Sequence, residues 1–224
     1  MSERTYNQFC PIAHALDLVG DRWTLLVVRN LFLGPKRFSD LLRGLPGIGT
    51  NILTARLKAL EGSGLVRSRY LPPPAASSVY ELTETGRGLE GVMTALALWG
   101  AQSLGAPQAG QTYSPDSMGL IVYLLFKQAA AAGPLAGPFA VRVEGKDFSA
   151  NFGVTVQGQS ITVEPQAPAA PRLSLRAGLP ALGALATGQI SLREAQRKGL
   201  VKLEGPAGET AAFLAGFATA APQH

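Results

Sequence analysis

The sequence predicts an α+β protein with two domains. Apolar residues recur at helical spacing in the first half of the chain and with period two in much of the second half. Between the halves, residues 105–115 are small and polar and include several Gly and Pro, which is typical of a linker. We therefore divide the 224 residues into a domain at 1–105, a linker at 106–115 and a domain at 116–224.

Composition excludes several classes of protein. Apolar residues make up 46% of the chain, which is enough for a core and argues against global disorder. One cysteine and two histidines exclude an intrachain disulfide, a Cys-based zinc site and a multi-histidine metal centre within one chain. The longest clean apolar run, Met118–Phe126, is too short to span a bilayer, and the first residues lack a signal-peptide pattern. We expect a soluble cytoplasmic protein with no metal, no cofactor and no membrane partner.

The net charge of +5 is concentrated in one window of the chain. Residues 36–70 hold seven basic and two acidic side chains, an excess equal to that of the whole protein. Residues 1–35 sum to zero and residues 71–105 to −2. A local basic excess of this kind is typical of a surface that binds nucleic acid.

Two short helices are predicted at the start of the first domain. Asp21 can cap the first one, which ends at residues 34–35. Its apolar side chains include Trp23, Leu26, Val27 and Leu31. The second helix ends at residues 44–47, and its inward-facing residues are Phe38, Leu41 and Leu42.

The third predicted helix, from about Thr50 to Leu60, has two chemically different faces. Its apolar stripe consists of Ile52, Leu53, Leu57 and Leu60. The opposite face carries Asn51, Thr54, Ala55 and Lys58, with Arg56 to one side. In a major groove Asn can read adenine, Thr can touch a thymine methyl and Lys can reach guanine or phosphate. This helix is therefore the predicted DNA-reading element.

A β-hairpin and a long helix are predicted next. Residues 64–70 and 79–83 alternate in polarity as strands do, and residues 71–78 form the tip between them. The helix Arg87–Ser103 follows, and one of its faces carries Leu89, Val92, Met93, Leu96 and Trp99. Three helices, a two-stranded wing and a terminal helix make a winged helix-turn-helix.

Five segments resemble, in order and spacing, the motifs of the HxlR-type transcriptional regulators. They are Cys10–Leu26, Arg37–Leu42, Leu53–Glu61, Gly64–Val66 and Tyr80–Gly86. The resemblance covers about residues 5–104 and implies a homodimer joined through the N-terminal helix and the Arg87–Ser103 helix. It also implies that the third helix lies in the major groove and the wing near the minor groove. Ile52 and Ala55 stand where polar residues are commoner, and the tip contains three prolines, so base contacts and wing are expected to differ from the family's.

Double-stranded DNA is therefore the predicted macromolecular partner. The residues expected to contact it lie on the second and third helices and on the hairpin. They are Arg37, Ser39, Arg43, Thr50, Asn51, Thr54, Ala55, Arg56, Lys58, Arg67, Arg69, Ser77, Ser78 and Tyr80.

Cys10 allows two interpretations. It precedes Pro11, which can begin a helix, and a thiol at a helix N-terminus is stabilised as the thiolate. In relatives of the HxlR type this position can sense oxidants or electrophiles, which makes redox sensing one hypothesis. The alternative is a partly buried structural thiol, the commoner role of a lone cysteine. His14, one turn later, either partners Cys10 or is a surface or packed side chain.

The second half is predicted to contain an apolar helix, Met118–Ala132, followed by a meander of about five antiparallel strands. The alternating apolar residues of these strands are Phe139, Val141, Val143, Phe148, Ala150, Phe152, Val154, Val156, Ile161, Val163, Leu173 and Leu175. Residues 144–147 and 157–159 are predicted hairpin turns. A helix ending at Gly188, a helix begun by a Ser191–Glu194 capping box, a short strand at 200–204 and a last helix complete the domain.

This half resembles the sterol carrier protein type-2-like (SCP-2-like) family. The likeness covers roughly residues 116–220 and rests on Leu182–Gly188, Ile190–Ala195, Gly199–Gly205 and Phe213–Phe217. That family wraps a sheet and helices round an apolar cavity that holds lipids, so the resemblance implies a hydrophobic small molecule as ligand. The candidate lining residues are Leu120, Leu124, Phe139, Val141, Phe148, Phe152, Leu173, Leu182, Phe213 and Phe217. Alternatively, these side chains simply fill the core.

The residues do not form a recognisable catalytic constellation. The sequence contains no Ser/His/Asp set, no P-loop and no dinucleotide-binding fingerprint, so we predict no catalytic residues and no enzyme. The favoured hypothesis is a homodimeric, DNA-binding transcriptional regulator that a hydrophobic small molecule modulates. One alternative is a hydrophobic-ligand carrier that uses the winged helix only for dimerisation, and another is a regulator that senses oxidants or electrophiles through Cys10.

Overall fold

The computed structural model describes residues 5–74, 76–104, 114–132, 135–145, 148–158 and 160–216. The described residues contain both helices and sheets, which confirms the α+β class. The chain divides into two compact units, and the division falls between Leu96 and Ala97. The predicted linker lies almost entirely outside the described residues, and the domain boundaries predicted from the sequence stay a prediction.

The first unit contains a helical core and a two-stranded hairpin. Its elements are α1 (Pro11–Val19), α2 (Thr24–Phe32), α3 (Phe38–Gly44), α4 (Thr50–Gly62), β1 (Val66–Leu71), β2 (Ser77–Leu82), α5 (Glu84–Arg87) and α6 (Glu90–Ala101), the last of which crosses the division. The buried core joins α2, α3, α4 and the hairpin through residues such as Leu31, Leu41, Leu57 and Leu82. This packing fixes α4 by one face and leaves the other open.

The turn between α1 and α2 corrects the prediction that Asp21 caps a helix. The N-cap of α2 is Trp23, which has a φ of 79° in the left-handed region and receives no side-chain cap bond. The Asp21 carboxylate instead pairs with Arg56 of α4. A left-handed non-glycine residue costs of order 1 kcal/mol or more, and the packing of the Trp23 indole against the core offsets that cost.

The hairpin and the helices after it differ from the prediction in their bounds. Strand β2 begins at Ser77, which pairs with Leu71, so Ser77 and Ser78 belong to the wing strand rather than to its tip. The predicted long helix from residue 87 is two helices, α5 and α6. Helix α5 begins at its N-cap Thr83, whose hydroxyl accepts a hydrogen bond from the Gly86 amide at 3.1 Å, and it ends at its C-cap Gly88.

The second unit contains a five-stranded sheet and four helices among its described residues. The elements are α7 (Pro115–Ala132), β3 (Gly137–Glu144), β4 (Ser149–Gln157), β5 (Ser160–Glu164), β6 (Leu173–Gly178), α8 (Leu179–Ala186), α9 (Leu192–Arg197), β7 (Val201–Glu204) and α10 (Ala207–Gly216). The strand order is β5-β4-β3-β6-β7. As predicted, a capping bond begins α9, since the Ser191 hydroxyl accepts from the Glu194 amide at 3.2 Å.

The predicted antiparallel meander is wrong in its connections. The alternating residues 148–156 lie almost wholly in the single strand β4, and the short strand predicted at 200–204 joins the same sheet as β7. Strands β3 and β6 are parallel, whereas the other three pairs are antiparallel. The reason is the connection 165–172, whose three prolines cannot continue an antiparallel ladder. It returns the chain from the β5 edge to the far side of β3.

Helices cover the apolar face of this sheet. Helix α7 contacts α8, α10 and strands β4 and β5. Within the core the rings of Phe126, Phe139 and Phe213 form a triangle, with centroids 5.4–5.6 Å apart. In the described part of the chain, none of the helices is both long and apolar enough to cross a membrane.

Candidate nucleic-acid interface

Helix α4 presents a polar face to solvent and buries the opposite one. Leu53, Leu57 and Leu60 are at most 2% exposed, and they fix the helix against the core. The residues that are predicted to read DNA on this helix and are exposed are Thr50, Asn51, Thr54, Ala55 and Lys58. The Thr54 hydroxyl donates to the Thr50 carbonyl at 2.9 Å, so its methyl group is the part that remains for an outside contact.

Ile52 lies outside the core, contrary to the predicted apolar stripe. It is 46% exposed, because three leucines already cover the roughly 100°-wide face that packs inward. Its side chain is next to Asn51 on the open side of α4. An exposed apolar side chain there is suited to a thymine methyl group. The periodicity of Ile52 matches the core equally well, whereas the resemblance to the HxlR-type motifs places it among the positions that contact bases.

Arg56 is turned away from the open face. Its guanidinium pairs with Asp21, and its side chain is only 22% exposed. Its Nε is buried and has no hydrogen-bond partner among the described residues. The geometry therefore favours an internal role for Arg56 over the predicted contact with DNA.

The residues of α3 and its start border α4 on the basic surface. Arg37, Ser39 and Arg43 are all exposed. The Arg37 Nε donates to the Ser77 hydroxyl at 3.0 Å, which ties the start of α3 to the wing. The Arg43 guanidinium is 3.7 Å from the Asp40 carboxylate but remains 79% exposed, so it is available to a phosphate.

The wing arginines share one carboxylate. Glu81 is nearly buried, and its carboxylate accepts from the Nε of Arg67 at 2.8 Å and from that of Arg69 at 3.1 Å. The hydrogen bond from Arg69 is the main cause that lowers the pKa of Glu81, burial acts in the opposite direction, and Arg67 lowers it further. Both arginine side chains stay substantially exposed, so this cluster presents a net positive charge.

The remaining predicted wing residues divide between surface and core. Ser78 is exposed and Ser77 half-buried. Tyr80 is half-buried and packs against the core, while its backbone pairs with Lys36 through bonds of 2.8 and 3.0 Å. Tyr80 therefore connects the wing to the start of α3, a structural role that its place in an alternating strand did not reveal.

Helices α1 and α6 leave large apolar side chains exposed. On α1 and the residues before it these are Tyr6, Phe9, Ile12, Leu16 and Leu18, and on α6 they are Val92, Leu96 and Trp99. Of the five apolar residues predicted on the long helix, only Met93 is fully buried. Cys10 is half-buried and is the N-cap of α1, with Pro11 as the first helical residue.

The candidate ligand-lining residues of the second unit lie mostly in its core. Leu124, Phe139, Val141, Phe152, Leu173, Leu182 and Phe213 are buried, and Leu120 and Phe148 are half-buried. Phe217 lies outside the described residues. Phe126, which the sequence-based set omits, is fully buried and joins the aromatic triangle. Nearby on α7, burial lowers the pKa of Lys127.

Comparison with known proteins gives matches for both units. The HxlR-like helix-turn-helix family model matches residues 18–108, and the SCP-2 sterol transfer family model matches residues 124–214. The HTH-type transcriptional regulator sll1512 of Synechocystis is 39% identical over 98 residues, which are 44% of this chain and 73% of the relative. The chain belongs to the HxlR-like helix-turn-helix family. Both resemblances predicted from the motifs are confirmed.

Other regulators match a similar share of the chain. The HTH-type transcriptional regulator YodB of Bacillus subtilis is 36% identical over 97 residues, 43% of this chain and 87% of the relative. Two solved structures, the reduced form of YodB and the oxidized form of the redox regulator HypR, are 33% and 32% identical. They cover 45% and 42% of this chain and 100% and 97% of their own, with TM-scores of 0.39 and 0.40. The alignments to both regulators thus span less than half of this HxlR-family chain.

Proposed function

We propose that this HxlR-family protein is a homodimeric regulator that reads operator DNA with α4 and responds to a hydrophobic small molecule in its second unit. The observation that carries the proposal is the division of α4 into a buried leucine face and an exposed face of Asn51, Thr54 and Lys58. With its side chains an α-helix is about 10–12 Å in diameter, so it fits a major groove about 12 Å wide.

Basic side chains around α4 support contacts with the DNA backbone. Arg43 beside it is largely exposed, and the exposed Lys58 lies on the helix itself. Arg67 and Arg69 extend the positive surface into the wing, where Glu81 cancels only one of their two charges. Phosphate contacts of this kind position a protein on the duplex, and base contacts from α4 would supply specificity.

The exposed apolar residues of α1 and α6 support the homodimer. Soluble monomers rarely expose large contiguous apolar patches, and such patches are typical of protein–protein interfaces. Ile12 and Leu16 are one turn apart on α1, and Leu96 and Trp99 are one turn apart on α6. Two copies of this chain would bury these residues and place two α4 helices on half-sites about 34 Å apart.

The match of residues 124–214 to the SCP-2 sterol transfer family supports a hydrophobic effector. The core between the sheet and α7 is almost wholly apolar, with Leu124, Phe139 and Leu182 buried in it. Burial of an apolar molecule among such side chains is favourable because it removes apolar surface from water. Native mass spectrometry of the purified protein would detect a bound hydrophobic molecule.

A single substitution tests DNA binding by α4. The DNA probe is an operator that the wild-type protein selects from random duplexes. Lys58→Ala should weaken the binding of the protein to this operator roughly tenfold, about 1.4 kcal/mol. The matched control is Lys198→Ala, which removes the same charge from the exposed Lys198 on the second unit. Fluorescence anisotropy at fixed salt measures both. Equal affinities for wild type and Lys58→Ala would exclude α4 as the reading helix.

Cys10 gives a second candidate mode of regulation. It is half-buried and is the N-cap of the nine-residue helix α1. Helix α1 also carries part of the exposed apolar surface, so a modified Cys10 would change the proposed dimer. In this mode an electrophile that modifies Cys10 should release the protein from DNA. If the electrophile still releases Cys10→Ser from DNA, this mode is wrong and the second unit is the sensor.

A further inference from the structure

The outer face of the sheet in the second unit carries polar side chains that neither DNA reading nor a hydrophobic ligand uses. Along β3 the buried Val141 and Val143 alternate with Arg142, which is exposed on the opposite face. The register pairs Arg142 with Arg176 of β6 and with Asn151 of β4. Directly paired residues project to the same face of a sheet. Two guanidinium groups and one amide therefore lie side by side on adjacent strands.

These side chains border a cleft with a volume of about 170 Å³. Ala140 and Ser174 are paired partners on β3 and β6, and their small side chains leave a depression between larger neighbours. The polar residues that line the cleft are Arg142, Asn151, Ser174, Arg176 and Glu204.

The loop after β5 forms one wall of the cleft. Gly153 of β4 pairs with Ala140, and a Cβ at Gly153 would lie 2.5 Å from the Gln166 carbonyl oxygen. Only glycine lets the loop approach the outer face this closely, and the loop supplies Ala167 to the cleft. The cleft is thus a concavity, because the backbone of this loop lies directly against β4 beside the otherwise open face of the sheet.

The charges in and around the cleft are three positive ones, on Arg142, Arg176 and Lys202, against two negative ones, on Glu144 and Glu204. The Glu144 carboxylate is 3.0 Å from the Arg142 Nε and 3.4 Å from the Arg176 Nε, so it pairs with both arginines. Glu204 interacts electrostatically with Arg176 as well as with Lys202. A guanidinium fork offers its remaining N–H groups to the two oxygens of a phosphate or carboxylate.

Glu204 gives the cleft a second kind of polar group. It pairs with Lys202 at 2.9 Å, and this hydrogen bond is the main cause that lowers the pKa of Glu204. The carboxylate therefore stays ionised and accepts hydrogen bonds, whereas the arginines, Asn151 and Ser174 donate them. Donors for an anion and an acceptor for a hydroxyl or an amine border the same small volume.

We propose that this cleft binds the phosphate or carboxylate group of a small polar metabolite that also carries a hydroxyl or an amine. Arg142 and Arg176 would hold the anionic group, with Asn151 and Ser174 as further donors, and Glu204 would accept from the hydroxyl or amine. The volume is below the ~300 Å³ of pockets for drug-sized molecules, which limits the bound part to a few heavy atoms. This ligand would be distinct from a hydrophobic effector, because it lies on the opposite face of the sheet.

Inorganic phosphate is the probe for the anion subsite, and two exposed arginines of the second unit supply a matched pair of variants. Arg176 lines the cleft, whereas Arg193 of α9 does not. In calorimetric titrations of the full chain, Arg176→Gln should weaken phosphate binding about tenfold and Arg193→Gln by less than about twofold. Absence of saturable phosphate binding by the wild type, or equal losses in both variants, would overturn the proposal.

Two further measurements keep the result interpretable. Asn151→Ala and Ser174→Ala remove donors without disturbing Glu144, and each should weaken phosphate binding while the melting temperature stays unchanged. They replace Arg176→Gln if that variant does not fold, and normal phosphate affinity in both would then exclude the site. If only DNA affinity falls in Arg176→Gln, the face binds the DNA backbone and the proposal for a small molecule is wrong. Lys58→Ala tests α4 separately, so failure of this site leaves that result intact.

Discussion

Arg56 stabilises the orientation of α4 from inside the first unit. Its pair with Asp21 connects the middle of α4 to the turn between α1 and α2. Leucine packing along α4 is non-directional, whereas an ion pair depends on the rotation of the helix about its own axis. The pair therefore adds a directional contact to the leucine packing that determines which side chains α4 presents to solvent.

Asp21→Asn separates this orienting role from a direct contact of Arg56 with DNA. If phosphate electrostatics were the only effect, removal of a negative charge near α4 would strengthen DNA binding. We expect a loss of roughly threefold to tenfold instead, about 0.7–1.4 kcal/mol, because α4 loses the pair that orients it. Anisotropy with the selected operator measures the change. Arg56→Lys, which keeps the charge, should retain more affinity than Arg56→Ala, and a tighter-binding Asp21→Asn would contradict the orienting role.

Glu81 makes the stability of the wing depend on pH. Arg69 and Arg67 lower its pKa below the ordinary value of 4.5, so the folded state favours the carboxylate. The resulting stability is fully present above pH 4.5 and is lost as the pH falls through the lowered pKa. At pH 7, Glu81→Gln should cost about 1 kcal/mol, or about 4–8 °C in Tm for a domain of this size. In thermal scans the difference from the wild type should shrink at low pH, whereas Glu61→Gln, at an exposed position, should change the Tm at pH 7 much less than Glu81→Gln.

At the scale of single elements, α6 is the best test of the proposed dimer. Leu96 and Trp99 are exposed on the same face, and burial of each in a partner would contribute about 1.5–3 kcal/mol. Leu96→Glu should therefore shift the protein toward the monomer in sedimentation-velocity experiments. Leu200→Glu is a matched control, since Leu200 is similarly exposed, 46% against 43%, and lies in the second unit. A dimer that withstands Leu96→Glu would exclude this face from the interface.

Elements whose apolar residues recur with a clear period, or which carry a local capping motif, were predictable from the sequence. Features that depend on contacts with distant parts of the chain were not. The leucine stripe of α4 predicted its buried face, and the Ser191–Glu194 spacing predicted the start of α9. The parallel pairing of β3 with β6 was not predictable, because it depends on where the proline-rich connection returns. A local pattern of alternation is the same for both pairings.

In the candidate site too, the side chains whose positions depend on distant contacts could not be predicted from the sequence. Asn51, Thr54 and Lys58 lie on the open face of α4 as their spacing indicates. Arg56 of the same helix and Tyr80 of the wing were also predicted to contact DNA, yet Arg56 pairs with Asp21 and Tyr80 packs against the core. Long side chains reach partners in other elements, and the sequence of one element carries no information about those partners.

At the scale of the whole molecule, internal ion pairs reduce the basic excess but leave it in place. Three of the seven basic residues in the window 36–70 are paired with Asp21 or Glu81, which lie outside that window. When these two acids are counted, the excess falls from +5 to +3. Two of the three remaining charges belong to α3 and the segment before it, and the third belongs to the wing, because Glu61 balances Lys58 on α4 itself. The field that attracts DNA is therefore centred beside the reading helix, on α3 and the segment before it.

The proposed coupling between the two units makes a prediction that either unit can test. If a hydrophobic molecule identified by native mass spectrometry changes operator affinity by some factor, operator DNA must change the affinity for that molecule by the same factor. We expect a factor of about 5–150, the usual range of allosteric coupling. Calorimetric titration of the molecule, with and without saturating operator, measures how DNA changes the affinity for the molecule. Anisotropy with and without the molecule measures how the molecule changes the affinity for the operator. Lys58→Ala should keep the affinity for the molecule in the absence of DNA. If a molecule binds the second unit but leaves operator affinity unchanged, the second unit is a carrier. Regulation then belongs to another part of the chain, and Cys10 is the next residue to test.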